Sequence, residues 1–394
     1  MFESLAAMPQ DAILKLIAEY QNDTREEKID LGVGVYRDAA GGTPILKTVK
    51  KAEHHLVGTQ ETKSYLGSSG SPEFNAAIQA LIFGEKLSSS ERIMTLQTPG
   101  GSGSLRVAAG VLLRAKDDMT IWAGEPTWAN HIPLLGSAGV TIKTYPFYDA
   151  DNKTILFEEM LQTISNIPAG DGLLLHGCCH NPTGMDLNEE QWRRVTEQVA
   201  ARGIIPFIDF AYQGFAEGLV EDAFGVRHMV ESVPEMVVSS SCSKNFALYR
   251  DRVGSLSFIA RDSQTAAILR SQANNIVRTM YSMPPDHGGA VVSHILTTSE
   301  LRTEWEGEVD EMRGRLQSMR SLLGAALREA APGHDFSHIE LARGMFCFVG
   351  ISPEQVARIK ADHGVYMVGS SRINVAGITE HNVGYLAQSI AAVL

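Results

Sequence analysis

The chain is short of the features that mark secreted, membrane-spanning or nucleic-acid-binding proteins. Four of its 394 residues are cysteine, and two of these, Cys178 and Cys179, are adjacent. Adjacent thiols do not easily staple so long a chain. Reduced thiols in a cytoplasmic setting are therefore expected rather than a disulfide framework. No apolar run approaches the ~20 residues that a membrane span requires. The opening residues lack a basic stretch followed by an apolar one, so no secretory signal is expected. Positive charge is also scarce. The 34 Lys and Arg stand against 46 Asp and Glu, a formal net charge of -12, which argues against a general nucleic-acid binder. There are no internal repeats and no low-complexity linker.

What is present fits an ordinary globular chain, with 44% hydrophobic and 20% charged residues. At ~150 residues per domain, the length suggests two or three domains. Segments 1–20 and 45–57 read as amphipathic helices, and IDLGVGVY (29–36) as a strand between them. From residue 90 onward, β-rich runs (RIMTLQ, MTIWAG, GLLLHG, IIPFIDF, MVVSSS) alternate with helical stretches such as 188–203, which ends at Gly203. That rhythm predicts an α/β fold, a mainly parallel sheet covered by helices. Trp305, Val309, Met312, Leu316, Met319 and Leu323 recur at spacings of three and four, one face of a long helix. Short strands follow around 345–349, 365–368 and 372–376. Ser352, Pro353, Gln355 and Gly364 frame another helix with a capping box and a glycine stop. The expected division is a large α/β domain over 45–311 and a smaller α+β domain from 1–44 and 312–394. A single continuous domain is the alternative.

In open α/β sheets, ligands sit beyond the carboxyl ends of the strands. Here each of those ends carries an unusual segment. TPGGSGSLR (98–106) offers glycines and a helix start suited to an anion, with Gly101 and Ser102 as contacts. It lacks the third glycine of a dinucleotide fingerprint and the Gly-Lys-Ser/Thr of a P-loop. GEPTWANH (124–131) carries Trp128, a flat ring for stacking. HGCCHNPTG (176–184) has a turn that could aim the Asn181 amide at a ligand. Its adjacent cysteines lack the usual gap between zinc ligands, so no metal site is expected. FIDFAYQGF (207–215) sets Asp209 inside an apolar strand and Tyr212 just beyond it. SSSCSKNFALYRDRVG (239–254) brings Ser241, Ser243, Lys244 and Arg252. Ser241 and Lys244 form the S-x-x-K of acylating serine enzymes, but the companion S-D-N and K-T-G motifs are missing.

Each segment alone has a structural explanation as a turn, a core ring or an ion pair. Together they assemble a phosphate cradle, a stacking ring, a carboxylate, a phenol, an amide and an amine. Pyridoxal phosphate calls for that set. The sequence resembles the class I aminotransferases of fold type I, near the aspartate and aromatic amino-acid enzymes. The likeness runs from LGVGVYRD and TKSYLG through the segments above to YSMPP and SRINVAG. The resemblance implies that Lys244 carries the cofactor and that Asp209 pairs with its ring nitrogen. Tyr212 and Asn181 would hold the ring oxygen, and Trp128 would stack on the ring. Gly101, Ser102, Ser241, Ser243 and Arg252 would bind phosphate, helped by Tyr65 from a neighbouring subunit. Arg372 would grip the substrate α-carboxylate beside Gly34, and Arg278 of the neighbour would meet a side-chain carboxylate. A homodimer with shared sites is implied.

Three positions near the expected place of a second substrate carboxylate depart from the aspartate branch of that family. Met283 and Ser64 stand where Asn is usual, and Ser102 where Thr is usual. All three remove or shorten polar groups, as in the aromatic branch. Arg250 also replaces a usual Asn. The expected activity is amino transfer from aspartate, with aromatic amino acids as further donors, to a 2-oxo acid such as 2-oxoglutarate or glyoxylate. The rival readings are an S-x-x-K serine hydrolase, a non-catalytic protein of the same fold that binds the cofactor, and another reaction of the same cofactor such as β-elimination.

Overall fold

In the computed structural model, which describes residues 1–8 and 10–394, seven strands form one sheet. They are β1 (Ile93–Pro99), β2 (Thr120–Glu125), β3 (Thr141–Pro146), β4 (Gly172–His176), β5 (Ile205–Phe210), β6 (Met236–Ser241) and β7 (Val253–Ile259). Their spatial order is β1-β7-β6-β5-β4-β2-β3. Only β7 runs against the others, antiparallel to both β1 and β6. Alternate side chains point to opposite faces, as the pleat requires. Met94, Leu96, Phe207 and Val237 pack in one core with helices Gly100–Ala115 and Ser263–Met280. Ile93, Ile208, Phe210 and Val238 belong to a larger core on the other face.

The sequence pattern hid two of these strands. β3 lies at the sheet edge and is largely exposed, so it needs no apolar alternation. β7 is fully buried, but Ser255 and Ser257 face a polar layer and break its apolar run. Two other expectations need correction. The first α-helix spans Ala12–Asn22 rather than starting at residue 1. The strand expected over 29–36 shrinks to Ile29–Asp30. Side chains satisfy the backbone after it, which removes the need for a ladder. Asn374 donates to the Val33 and Val35 carbonyls at 2.6 and 2.7 Å, and Arg372 donates to that of Gly32 at 3.0 Å. The Tyr249 hydroxyl accepts from Tyr36 N–H at 2.8 Å.

Beyond the sheet, the two ends of the chain meet. Ile29–Asp30 pairs with Val365–Tyr366, and Phe346–Phe348 pairs with Arg372–Asn374. The Ser299–Ala330 helix is 32 residues long and buries all six of the residues read as its apolar face. The Pro353–His363 helix has the expected capping box at Ser352 and Gln355 and ends at a left-handed Gly364. Among the described residues, no helix is long and apolar enough to cross a membrane.

Candidate active site

The parallel strands deliver their carboxyl ends to one edge of the sheet. The reversed strand β7 begins at that same edge, so Arg252, just before it, arrives there too. A cavity of about 310 Å³ opens at this edge. Gly34, Gly101, Ser102, Trp128, Asn181, Asp209, Tyr212, Ser241, Ser243, Lys244, Arg252 and Arg372 all line it. Tyr65 and Arg278 do not. Tyr65 is 94% exposed, and Arg278 also lies on the surface.

At one end of the cavity the groups suit a phosphate. β1 runs directly into the Gly100–Ala115 helix, whose first N–H groups have no partner within the helix. Gly100 has φ +71°, and a β-carbon there would sit 2.8 Å from Cζ of Arg252. Glycine is therefore required by both backbone and space. The Arg252 guanidinium donates to the Ser243 hydroxyl at 3.3 Å and the Tyr249 carbonyl at 3.2 Å. The Ser241 hydroxyl donates to that of Ser243 at 3.0 Å. Among the described residues, no carboxylate pairs with Arg252.

In the centre, Asp209 Oδ2 lies 2.8 Å from Nε2 of His131, whose Nδ1 lies 2.8 Å from the Thr127 hydroxyl. Burial alone would raise the Asp209 pKa. The His131 hydrogen bond and the electrostatic pull of His131 and Lys244 outweigh it and hold the carboxyl below its usual range. Burial first, then the neighbouring His131, push His176 down to about 3, so its imidazole is neutral. Its Nε2 is buried without a partner. The Lys244 amine is pulled down to about 8 by burial, against the opposing pull of Asp209. It sits 4.7 Å from the centre of the Tyr212 ring. Burial, then Asp209, raise the Tyr212 phenol, which keeps its proton at neutral pH.

At the other end, Arg372 donates to the Asn181 side-chain oxygen at 3.3 Å and packs 4.4 Å over the Phe346 ring. Burial lowers its pKa. Its Nε is buried without a partner, and no carboxylate meets it. A half-buried guanidinium with only neutral acceptors around it keeps a net positive charge at the cavity wall, which suits an anion. Arg320 is also buried without a carboxylate, but it lies off the cavity and donates to the Phe346 carbonyl. Burial alone does not mark a ligand site; burial at the cavity wall does.

These groups define the chemistry: two cationic ends, a carboxylate and an amine between them, and neutral donors around. The family model for aminotransferases of class I and II matches residues 26–390. The chain belongs to that family. It is 46% identical to the aspartate aminotransferase of Escherichia coli, covering all of both chains. It is 47% identical to the aromatic-amino-acid aminotransferase of Pseudomonas aeruginosa, covering all of this chain and 98% of that one. The aromatic-amino-acid aminotransferase of Burkholderia pseudomallei, solved covalently bound to pyridoxal phosphate, superposes with a TM-score of 0.98 at 40% identity, covering 100% and 99% of the two chains. The protein is an aminotransferase with the fold of these enzymes, which sets aside the serine hydrolase and the non-catalytic readings.

Several residues around the site had no sequence signal of their own. His131 matters through Asp209, 78 residues away. Tyr249, Phe346 and Ile13 line the cavity from loops, a short strand and the first α-helix. Two carboxylates, half-buried Asp186 and buried Asp222, shape the turns. Asp186 accepts from the N–H groups of Cys179 and His180 at 2.7 and 2.8 Å, just before Asn181. Asp222 accepts from four N–H groups, those of Gly214, Ala216, Glu217 and Gly218, just after Tyr212.

Proposed function

We propose that the enzyme uses pyridoxal phosphate to move the amino group of L-aspartate, and of aromatic amino acids, to a 2-oxo acid such as 2-oxoglutarate. The observation that carries this reading is the pair of half-buried, carboxylate-free guanidinium groups, Arg252 and Arg372, at opposite ends of the cavity that holds Lys244 and Asp209. One end suits a phosphate dianion and the other an α-carboxylate. The unpartnered Nε2 of His176 and Nε of Arg372 leave donors and acceptors open to an occupant. When bound, the cofactor supplies a cationic ring that stabilises negative charge at the substrate Cα.

The chain's own residues supply the rest. Gly101, Ser102, Ser241, Ser243 and Arg252 would hold the phosphate, and Trp128 would stack on the ring. Asp209 stays ionised, fixed by His131, and keeps a proton on the ring nitrogen. Tyr212 and Asn181 hold the ring oxygen as neutral donors. Arg372 orients the substrate through its α-carboxylate beside Gly34. The Lys244 amine, lowered to about 8, is basic enough to take a proton at Cα and acidic enough to return it near neutral pH.

The enzyme works as a homodimer in the cytoplasm. Tyr65 and Arg278, exposed and away from this chain's cavity, complete the partner's site, on the phosphate and on a side-chain carboxylate respectively. Exposed apolar side chains near the N-terminus support that assembly, with Phe2, Leu5 and Met8 at 76%, 73% and 86%. The large domain spans 45–311, and the small domain is formed by 1–44 and 312–394. The test is a matrix of amino donors against acceptors, including glyoxylate and phenylpyruvate. Aspartate with 2-oxoglutarate should rank high, with phenylalanine and tyrosine turning over measurably. Turnover confined to donors without a second carboxylate would overturn the aspartate assignment.

A further inference from the structure

One buried side chain ties together the two surface loops that this reading sends into the partner's site. Gln97 is 1% exposed and points from β1 to the face of the sheet opposite Leu96. Both ends of its amide are used, each on a different loop. Its side-chain oxygen accepts from Ser71 N–H at 3.1 Å, and its amide nitrogen donates to the Pro285 carbonyl at 2.7 Å. Its backbone N–H donates to the Ser69 carbonyl at 2.9 Å. The first loop carries Tyr65. The second follows Arg278 and carries Met283. Ser68 joins them at the surface, donating to the Ser282 carbonyl at 3.0 Å, and Ser69 donates to Asn274 at 2.7 Å.

The slot that holds this amide is narrow. A β-carbon on Gly289 would collide with the amide nitrogen and lie 2.9 Å from its carbon, and one on Gly70 would lie 2.5 Å from its oxygen. An apolar side chain of equal length fits the slot but leaves the Ser71 N–H and the Pro285 carbonyl unpaired.

We propose that Gln97 is a positioning residue for the partner's active site: it sets the Tyr65 loop and the Arg278–Met283 segment against each other, and so fixes where they enter the neighbouring cavity. The inference rests on the shared-site dimer proposed above. It assigns a buried residue in one chain to substrate binding in the other.

The experiment uses hybrid dimers of the holoenzyme, made by co-expressing two differently tagged chains. Gln97→Met alone should raise KM for aspartate at least tenfold and leave KM for phenylalanine within about threefold. Pairing it with Lys244→Ala leaves one competent site per dimer, whose Lys244 comes from the Gln97→Met chain and whose entering loops come from the chain with Gln97 intact. KM for aspartate in that hybrid should return to the wild-type value. A KM that stays at the Gln97→Met level would mean that Gln97 acts within its own chain, through the glycine turn three residues on, and the proposal would fall. Arg278→Leu paired with Lys244→Ala is the control. If that pair also fails to recover, the shared-site reading itself is wrong, and the proposal goes with it. Should Gln97→Met not fold, Ser68→Ala cuts the surface tie between the same loops. It should give a smaller rise, about threefold, rescued in the same hybrid, and no rise or no rescue would count against the proposal.

Discussion

The inner cavity and the outer rim carry the same kinds of residue in opposite states. Arg252 and Arg372 line a cavity, with no carboxylate on either. Arg278 and Tyr65 are exposed, with no cavity of this chain around them. In the proposed function the inner groups serve every amino-acid substrate, with the partner's Tyr65 adding to the phosphate end. Of the rim groups, Arg278 is the one proposed to distinguish one side chain from another. The proposed division gives bond-making to the sheet edge and selectivity to the Arg278 segment acting across an interface.

The sharpest way to break that contrast is at Lys244. Lys244→Ala should abolish turnover with every donor, because it removes both the cofactor anchor and the Cα base. Peptide mapping after borohydride reduction should find the cofactor on Lys244 in the wild type, and an adduct on another lysine would refute the assignment. Asp209→Ala should come next. A preorganised charge contact of this kind is worth about 3 kcal/mol or more, a factor of at least a hundred in rate, again for aspartate and phenylalanine alike. A folded, cofactor-loaded Asp209→Ala enzyme with near wild-type rates would show that its carboxylate does not serve the ring nitrogen.

At the rim, Met283→Asn should change preference rather than rate. An amide near a distal carboxylate adds a hydrogen bond to a charged group, roughly 1.5–3 kcal/mol, where a thioether offers apolar contact. The ratio of kcat/KM for aspartate to that for phenylalanine should rise about tenfold. If both values fall together, the position does not set specificity. The smallest expected effect is a shift in pH dependence. Burial lowers Lys244 to about 8, while Asp209 pulls it up and Arg252 pulls it down. Capture of added pyridoxal phosphate by the cofactor-free chain should therefore quicken as pH rises through about 8 and level off above it. Removing the Asp209 carboxylate should move that midpoint to lower pH, since the carboxylate favours the protonated amine. A midpoint that stays near the free-lysine value of about 10.4 would mean that the amine is not buried as described.

Much of this site is legible in the sequence because its residues fall at strand ends in compact segments. Lys244, Asp209 and Asn181 each sit in or within a few residues of a recognisable β-rich run, and the alternation of strand and helix is enough to bring those ends to one edge. The rest is hidden for physical reasons. His131 acquires meaning only once Asp209 is beside it. Asp186 and Asp222 look like ordinary surface acids until their backbone partners are seen. β7 is masked by serines that face a polar layer, and β3 by its exposed place at the sheet edge. The loop after Asp30 has strand-like residues but takes its hydrogen bonds from Asn374, Arg372 and Tyr249, three side chains distant in sequence.

The two arginines put the contrast between cavity and rim to its most direct test. kcat/KM is measured for aspartate and for phenylalanine in the wild type, in Arg372→Leu and in Arg278→Leu. Removing one partner of a buried charge pair costs about 3–5 kcal/mol, so each loss should exceed a hundredfold where the arginine is used. Arg372→Leu should depress both substrates together. Arg278→Leu should depress aspartate alone and leave phenylalanine within a few-fold of wild type. Equal losses for the two substrates in Arg278→Leu would contradict the division between an inner site for chemistry and a rim for selectivity.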